Sequence, residues 1–437
     1  MNRSKDEWLS YLESTHPSDI EMGLGRVTQV AQKLELFKPA PITIVVGGTN
    51  GKGTTTAILG HLLSQKNLSS ACYNSPHIHQ YNERINRRDA NGTDRLTTDE
   101  ELCSAFEAIE EGRGDIPLTY FEFGTLAALW QIKQWQVDVA LLEVGLGGRL
   151  DAVNIVDTDL AIVTSVGLDH QDWLGDTLDL IGYEKAGIGR KNKPLICGQP
   201  KVSQGFLDQA KMIGAQLISV DQNYSIDAIK SGWSLTLNCG TPQEKKFTLP
   251  KGHIPYFNIA SAIAGLNSLD LLPSDEKINL AIDNTKVAGR LTHMPCAIKE
   301  PEGSGKCITF ILDVAHNPQA AAFLATRLNN CSHGILAVLA DKDPEGIVSS
   351  LPKIKHWHLA GLSGYRGQSA AQLSTRLIAS SQQSIAGKYD DVAQAIEHCL
   401  DDVKDGEEVL VIGSFLTVAA AEQVLKNHPR IEVKHGR

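Results

Sequence analysis

The sequence predicts an α/β protein in two parts: a larger domain built on a mostly parallel sheet, then a smaller, doubly wound domain of Rossmann-like type. Three observations carry that expectation. Short apolar runs rich in β-branched residues, at 42–46, 137–144, 160–166, 308–314, 335–339 and 408–412, alternate with amphipathic stretches, the pattern of parallel strands joined by crossover helices. The 437 residues suffice for two packed cores. Near 284–305 the alternation lapses into AGRLTHMPCAIKEPEGSGK, polar and bearing Pro and Gly, and a linker of that kind divides the chain into residues 1–294 and 295–437.

From the amino end, MNRSKDEWLSYLEST interrupts its apolar positions with charge every few residues. No later run approaches the ~18 apolar residues of a membrane helix, so a cytoplasmic location away from membranes is expected. The strand ITIVV leads through GGTNGKGTTT into the helix AILGHLLSQ. Between 204 and 251, alternating polar-rich segments such as WSLTLN suggest antiparallel strands at the edge of the first domain. From 308 onward strand and helix alternate again, with KYDDVAQAIEHCLDDV an amphipathic helix ahead of the strand EEVLVIG. A net charge of −10 disfavours a nucleic-acid or anionic-membrane binder, so an anionic ligand must be held by local chemistry. The eight cysteines include no C-x-x-C pair, which fits reduced core thiols better than a disulfide or zinc framework.

The glycine-rich turn lies between a buried strand and a helix N-terminus, the context a phosphate loop requires. Gly48, Gly51 and Gly53 let backbone N–H groups approach phosphate oxygens, the helix dipole favours an anion, and Lys52 adds a point charge. Thr54 offers a hydroxyl to phosphate or metal. The spacing departs from G-x-x-x-x-G-K-[ST], with Val46 at the first glycine position and Gly53 in place of Ser or Thr. A glycine-rich turn with an incidental lysine is the plain alternative, and the strand before the loop argues against it.

Other candidates stand at strand ends. Glu143, in LLEVGLGGRLDAVN, closes one apolar strand, and Asp169 and His170, in TSVGLDHQDWLG, follow another. Ligands of open α/β sheets gather at the carboxyl edge, and hard oxygen donors with one imidazole suit magnesium beside phosphates. Taken singly, such a Glu is more often a surface or capping residue, such a His a loop residue, and Lys185 in EKAGI a solvated charge.

The loop GTNGKGTT resembles that of the Mur ligase superfamily, in particular the branch of dihydrofolate and folylpolyglutamate synthases. The resemblance continues in order through LGLGRV, SPHIHQYNERI, TYFEFGTLAALW, LLEVGLGGRLDAVNIV, TSVGLDHQDWLG, YEKAGIGR, LDVAHNPQAA and VIGSF, most of the chain. It implies a P-loop ATPase domain followed by a ligase domain, and an ATP- and magnesium-dependent ligase that is usually a monomer. Its substrates would be dihydropteroate, reduced folates and L-glutamate, joined through an acyl phosphate. By position in these motifs, Thr49, Asn50, Gly51, Lys52, Gly53, Thr54, Asn258, Arg290 and Asp313 meet ATP. Ser75, Glu143 and His170 match magnesium ligands, with two ions expected, and Lys185 matches a carboxylated lysine (N6-carboxylysine) near the second.

The acid is expected at Gly23, Leu24, Arg26, Thr119, Tyr120, Phe121, Glu122, Leu150, Asp151 and Ala152. Aromatic surface with polar edges suits a pterin and its aminobenzoyl arm, whereas Leu126, Leu129 and Trp130 read as core. His316 and Ser414 match residues for the incoming glutamate, with Lys52, Lys185 and His316 as the catalytic set. Asn317 in D-x-x-H-N-P also makes a turn whatever the function. The family usually has Pro before Gly-Arg where this chain has Ala288, which loosens the linker beside Arg290. Closure of the second domain would bring Asp313 and His316 to the reacting groups. Both synthase activities are expected. The alternatives are a monofunctional folylpolyglutamate synthase, a cell-wall Mur ligase, for which no UDP-binding segment precedes the loop, and a nucleotide switch, for which no N-K-x-D motif is evident.

Overall fold

The computed structural model describes residues 3–14, 21–252, 254–299, 305–328, 331–364, 366–378 and 384–434. The chain gathers into two compact units, Met1–Lys286 and Val287–Arg437. A division after 294 would cut a strand, as shown below, and the C-terminal end of the expected linker, residues 300–304, lies outside the described residues.

The first unit holds an eight-stranded sheet: β1 (Ile42–Gly47), β2 (Ser70–Tyr73), β3 (Ile85–Arg88), β4 (Asp94–Leu96), β5 (Val139–Glu143), β6 (Leu160–Val163), β7 (Pro194–Cys197) and β8 (Gln216–Ser219). Its order is β4-β3-β2-β5-β1-β6-β7-β8, parallel from β2 to β8 with β3 and β4 added antiparallel at one edge. Alternate residues of β1 serve opposite faces: Val45 enters one core with the helices Gly25–Leu34 and Tyr120–Trp135, while Ile44 and Val46 enter another with Lys52–Ser64 and Tyr256–Ser268. Burial on both faces explains why these strands read as unbroken apolar runs. The strand order reverses at β1, flanked by β5 and β6, so the loops leaving these three strands share one carboxyl edge.

Antiparallel strands appear where alternation suggested them, but only after residue 223. Residues 204–219 instead form the helix Gln204–Ile213, which buries Phe206, Gln209 and Ala210 at helical spacing, and the parallel strand β8. Strands β9 (Tyr224–Ile229), β10 (Gly232–Leu237) and β11 (Lys245–Pro250) make a separate three-stranded sheet. Leu235, Leu237 and Leu249 seat it on the second core.

The second unit contains β12 (Thr292–Ile298), β13 (Lys306–Asp313), β14 (Cys331–Leu336), β15 (His356–Ala360), β16 (Ile385–Tyr389), β17 (Glu408–Ile412) and β18 (Ile431–Val433), in the order β16-β15-β14-β17-β13-β12-β18. Strands β13 to β17 run parallel, with cores on both faces, as a doubly wound domain requires. Strand β12 was expected to be linker; its Pro conceals an alternation in which Met294, Cys296 and Ile298 are buried and which pairs with β13 and β18. All eight cysteines are free, with Cys72, Cys197, Cys296 and Cys399 buried and Cys307 exposed rather than in a core. Among the described residues no helix is long and apolar enough to cross a membrane.

Candidate active site

Strand β1 delivers residues 48–51 to the N-terminus of the helix Lys52–Ser64, which has no side-chain cap. Its first N–H groups therefore lack the usual competitor for a phosphate oxygen. Gly51 adopts φ 86°, and a Cβ there would sit 2.5 Å from the Asn258 amide. Asn258, in the first turn of Tyr256–Ser268, is thus held against the loop, its Nδ2 donating to the Gly51 carbonyl at 3.4 Å. Lys52 Nζ donates to the Gly48 carbonyl at 3.1 Å. The loop after β6 supports the opposite side. Thr164 Oγ1 donates to the Asn50 carbonyl at 2.6 Å, Asn50 N donates to Ser165 Oγ at 3.0 Å, Thr49 N donates to the Ser165 carbonyl, and the Thr49 hydroxyl exchanges bonds with the Gly167 backbone. Sequence reasoning missed Thr164 and Ser165. Their signal was two hydroxyl residues directly after a buried strand.

Glu143 ends β5 and is buried, with Ser75 N donating to its Oε2 at 3.3 Å. The following turn lies against the helix Leu178–Ala186: Arg149 N donates to the Glu184 carbonyl at 2.8 Å, and a Cβ on Gly148 would stand 2.7 Å from that oxygen and 3.1 Å from Lys185 Cα. This close approach draws Lys185 inward until it is 3% exposed. Burial lowers its ammonium to about 7, Lys52 adds repulsion, and Asp169 and Asp151 oppose the shift. His170, at the end of the β6 loop, has φ 52° and precedes the short helix Gln171–Leu174. Its backbone N donates to Asp169 Oδ1 at 2.9 Å. Glu143 on β5, the Ser75 segment beyond β2 and Asp169 and His170 beyond β6 stand at the carboxyl edge of one sheet, and their oxygen and imidazole donors are of the kind a hard divalent cation takes.

Asp151 is buried and pushed up to about 6 by burial, against backbone N–H donors and the charge of Lys52. It accepts from Leu146 N at 2.8 Å and Val153 N at 2.9 Å. Ala152 is buried beside it, and Leu150 is half-buried. Thr119 caps the helix Tyr120–Trp135, with Glu122 completing a reciprocal cap. Arg26 reaches Glu122 at 3.0 Å and also pairs with Glu21, tying the Gly23–Leu24 segment to Thr119–Glu122. Tyr120 and Phe121 remain half-buried at the margin of the first core, with Phe121 6.2 Å from the Tyr73 ring. Leu126 and Leu129 are core, and Trp130 packs partly against it.

In the second unit Asp313 ends β13, buried, accepting from Leu291 N at 3.0 Å and Ala315 N at 2.8 Å, with Arg290 Nη1 at 3.6 Å. Burial raises its carboxyl above the usual range and Arg290 opposes this. The Ala288–Leu291 segment is fastened to this strand end, since Val314 N also donates to the Gly289 carbonyl. His316 Nδ1 lies 2.9 Å from the Val314 carbonyl oxygen. Asn317 caps the helix Pro318–Ala325, as the turn reading anticipated. Ser414, just beyond β17, caps Phe415–Asn427. Since β17 adjoins β13, Asp313 and Ser414 share a carboxyl edge.

Residues 299–415 match the family model described as Mur ligase, glutamate ligase domain. The chain is 41% identical to the dihydrofolate synthase/folylpolyglutamate synthase of Escherichia coli (strain K12), over 96% of this chain and 94% of that one. Among solved structures it resembles E. coli FolC in complex with DHPP and ADP, at a TM-score of 0.85 and 40% identity, covering 97% of each chain. It also resembles the bifunctional folylpolyglutamate synthase/dihydrofolate synthase of Yersinia pestis complexed with AMPPNP and Mn ion, at a TM-score of 0.85 and 40% identity, over 97% of this chain and 98% of that one.

Proposed function

The chain belongs to the dihydrofolate synthase/folylpolyglutamate synthase family of Mur-type ligases, and from that membership we propose how its own residues carry the reaction. It is an ATP-dependent ligase that joins L-glutamate to dihydropteroate and to reduced folates, with a divalent cation. A carboxylate does not condense with an amine near neutral pH, so the acid first attacks the γ-phosphate, forming an acyl phosphate and releasing ADP. The glutamate amine then attacks the acyl carbon, and phosphate leaves.

Thr49 to Thr54 cradle the phosphates, Lys52 neutralises charge as it develops, and Asn258 holds the loop and nucleotide together. Arg290 and Asp313, an ion pair at the end of β13, serve the nucleotide. Ser75, Glu143 and His170 would hold Mg2+, which when bound offsets negative charge on phosphate oxygens. Lys185, its amine about half neutral near pH 7, adds carbon dioxide: an N–C bond forms, a proton leaves, and the resulting carbamate would offer an oxygen donor to a second ion. Tyr120 and Phe121 receive the aromatic part of the acid, with Gly23, Leu24 and Arg26 on one side and Leu150 to Ala152 on another. Thr119 and Glu122 shape that site through the cap and the Arg26 pair. His316 and Ser414 receive glutamate. The enzyme works as a cytoplasmic monomer.

The adjacency of β1, β5 and β6 supports this reading best, because it gathers the phosphate loop, Glu143 and the His170 loop along one edge. ADP release with ATP, Mg2+ and glutamate tests it, comparing dihydropteroate, tetrahydrofolate and no acid. Turnover is expected with both acids and not without one. Turnover with tetrahydrofolate alone would make the enzyme a monofunctional folylpolyglutamate synthase, and acid-independent turnover would remove the ligase mechanism.

A further inference from the structure

We propose that the second unit carries a zinc site formed by His333, His358 and Cys399, on elements that hold none of the residues assigned above to ATP, folate or glutamate. In the parallel pair β14–β15, His333 stands opposite His356, and a strand's two-residue period puts His358 on the same face. The helix Val392–Asp402 shares the core on that face and brings Cys399 to it. His333 is 4% exposed, and His358 and Cys399 are 0% exposed. One ligand atom from each of the three lies within 4.8 Å of the others.

The orientation of the rings points to a metal more strongly than their proximity does. His333 Nδ1 and His358 Nε2 face each other at 3.3 Å, and two nitrogens on a tetrahedral zinc ion, each ~2.0–2.1 Å from it, are about 3.3–3.4 Å apart. The outer nitrogens face oxygen: His333 Nε2 lies 3.7 Å from Glu407 Oε2, and His358 Nδ1 lies 3.4 Å from the Tyr389 hydroxyl. Metal-bound imidazoles are held in this way, one nitrogen inward and the other on a carboxylate or hydroxyl. Two neutral imidazoles and a thiolate suit zinc, with a water completing the tetrahedron. His356, which is exposed, stacks on His333 with ring centroids 4.8 Å apart. The alternative is a plain N–H···N hydrogen bond between the two rings beside an inert thiol.

The full-length protein, stripped by a chelator and titrated with Co2+ under excess Mg2+, separates the two. One equivalent is expected to bind with a thiolate-to-cobalt charge-transfer band, to be displaced by Zn2+, and to lose the band in Cys399→Ser but not in Cys307→Ser. His333→Gln, which keeps the thiol, should weaken binding at least ~10-fold, and Zn2+ should raise the Tm of the unsubstituted protein by ~3 °C or more. Absence of the band, its persistence in Cys399→Ser, or equal affinity in His333→Gln would overturn the proposal.

Discussion

Lys185 shows what burying a lysine, here one proposed to act in the reaction, costs a fold. An unfolded lysine titrates at 10.5, and here burial lowers the folded value to about 7. Between those values the folded chain binds fewer protons than the unfolded one. Stability contributed by this group is therefore complete above pH 10.5, falls as pH drops toward 7, and is level below. Lys185→Met should accordingly raise Tm by ~5 °C at pH 7 in metal-free protein, by removing a buried amine of poor solvation. The same variant should lose nearly all turnover, and added short carboxylic acids should restore part of it by supplying the missing oxygen donor. Thermal melts and an acid-rescue assay check the two halves; a lowered Tm with unchanged turnover would make Lys185 an ordinary packing residue.

Elements decide where such residues meet. The β5 turn and the helix Leu178–Ala186 touch through Gly148, whose Cβ position is 2.7 Å from the Glu184 carbonyl. Gly148→Ala must push that helix outward, since backbone cannot yield as a side-chain tip does. We expect kcat to fall ~10-fold or more while Tm drops by only a few degrees, and steady-state kinetics beside a melt would show the split. The parallel strands and the phosphate loop were legible from sequence, because a strand buried on both faces writes itself as an apolar run and a loop glycine has few other uses. The partnership of Thr164 and Ser165 with that loop was not legible. It depends on β6 lying beside β1, over a hundred residues earlier, and spacing does not report which strands become neighbours. Strand β12 was missed for a different reason, Thr292, His293 and Pro295 at its start imitating a linker. Thr119 and Asn317 were visible as candidates, yet a cap and a binding group share the same residue types, so pattern alone did not separate the two uses.

Taken whole, each of the chain's two large sheets is completed late. In the first, β1 waits for β5 and β6, which arrive on either side of it. In the second, β17 enters between β13 and β14, which do not pair with each other. A chain ending at residue 407 should therefore keep a protease-resistant first unit but leave residues 287–407 rapidly digested or insoluble, because each of those strands would expose an unpaired edge. Limited proteolysis of the truncated and complete chains tests this, and equal resistance would refute it. The order of those strands also bears on how the protein is made in the cell. While the ribosome is still adding residues 314–407, β13 is already exposed with the flank meant for β17 unclaimed, and its partner is translated almost last. The second unit is thus open to aggregation for most of its own synthesis, and holding that edge apart from other nascent chains is a task for a chaperone.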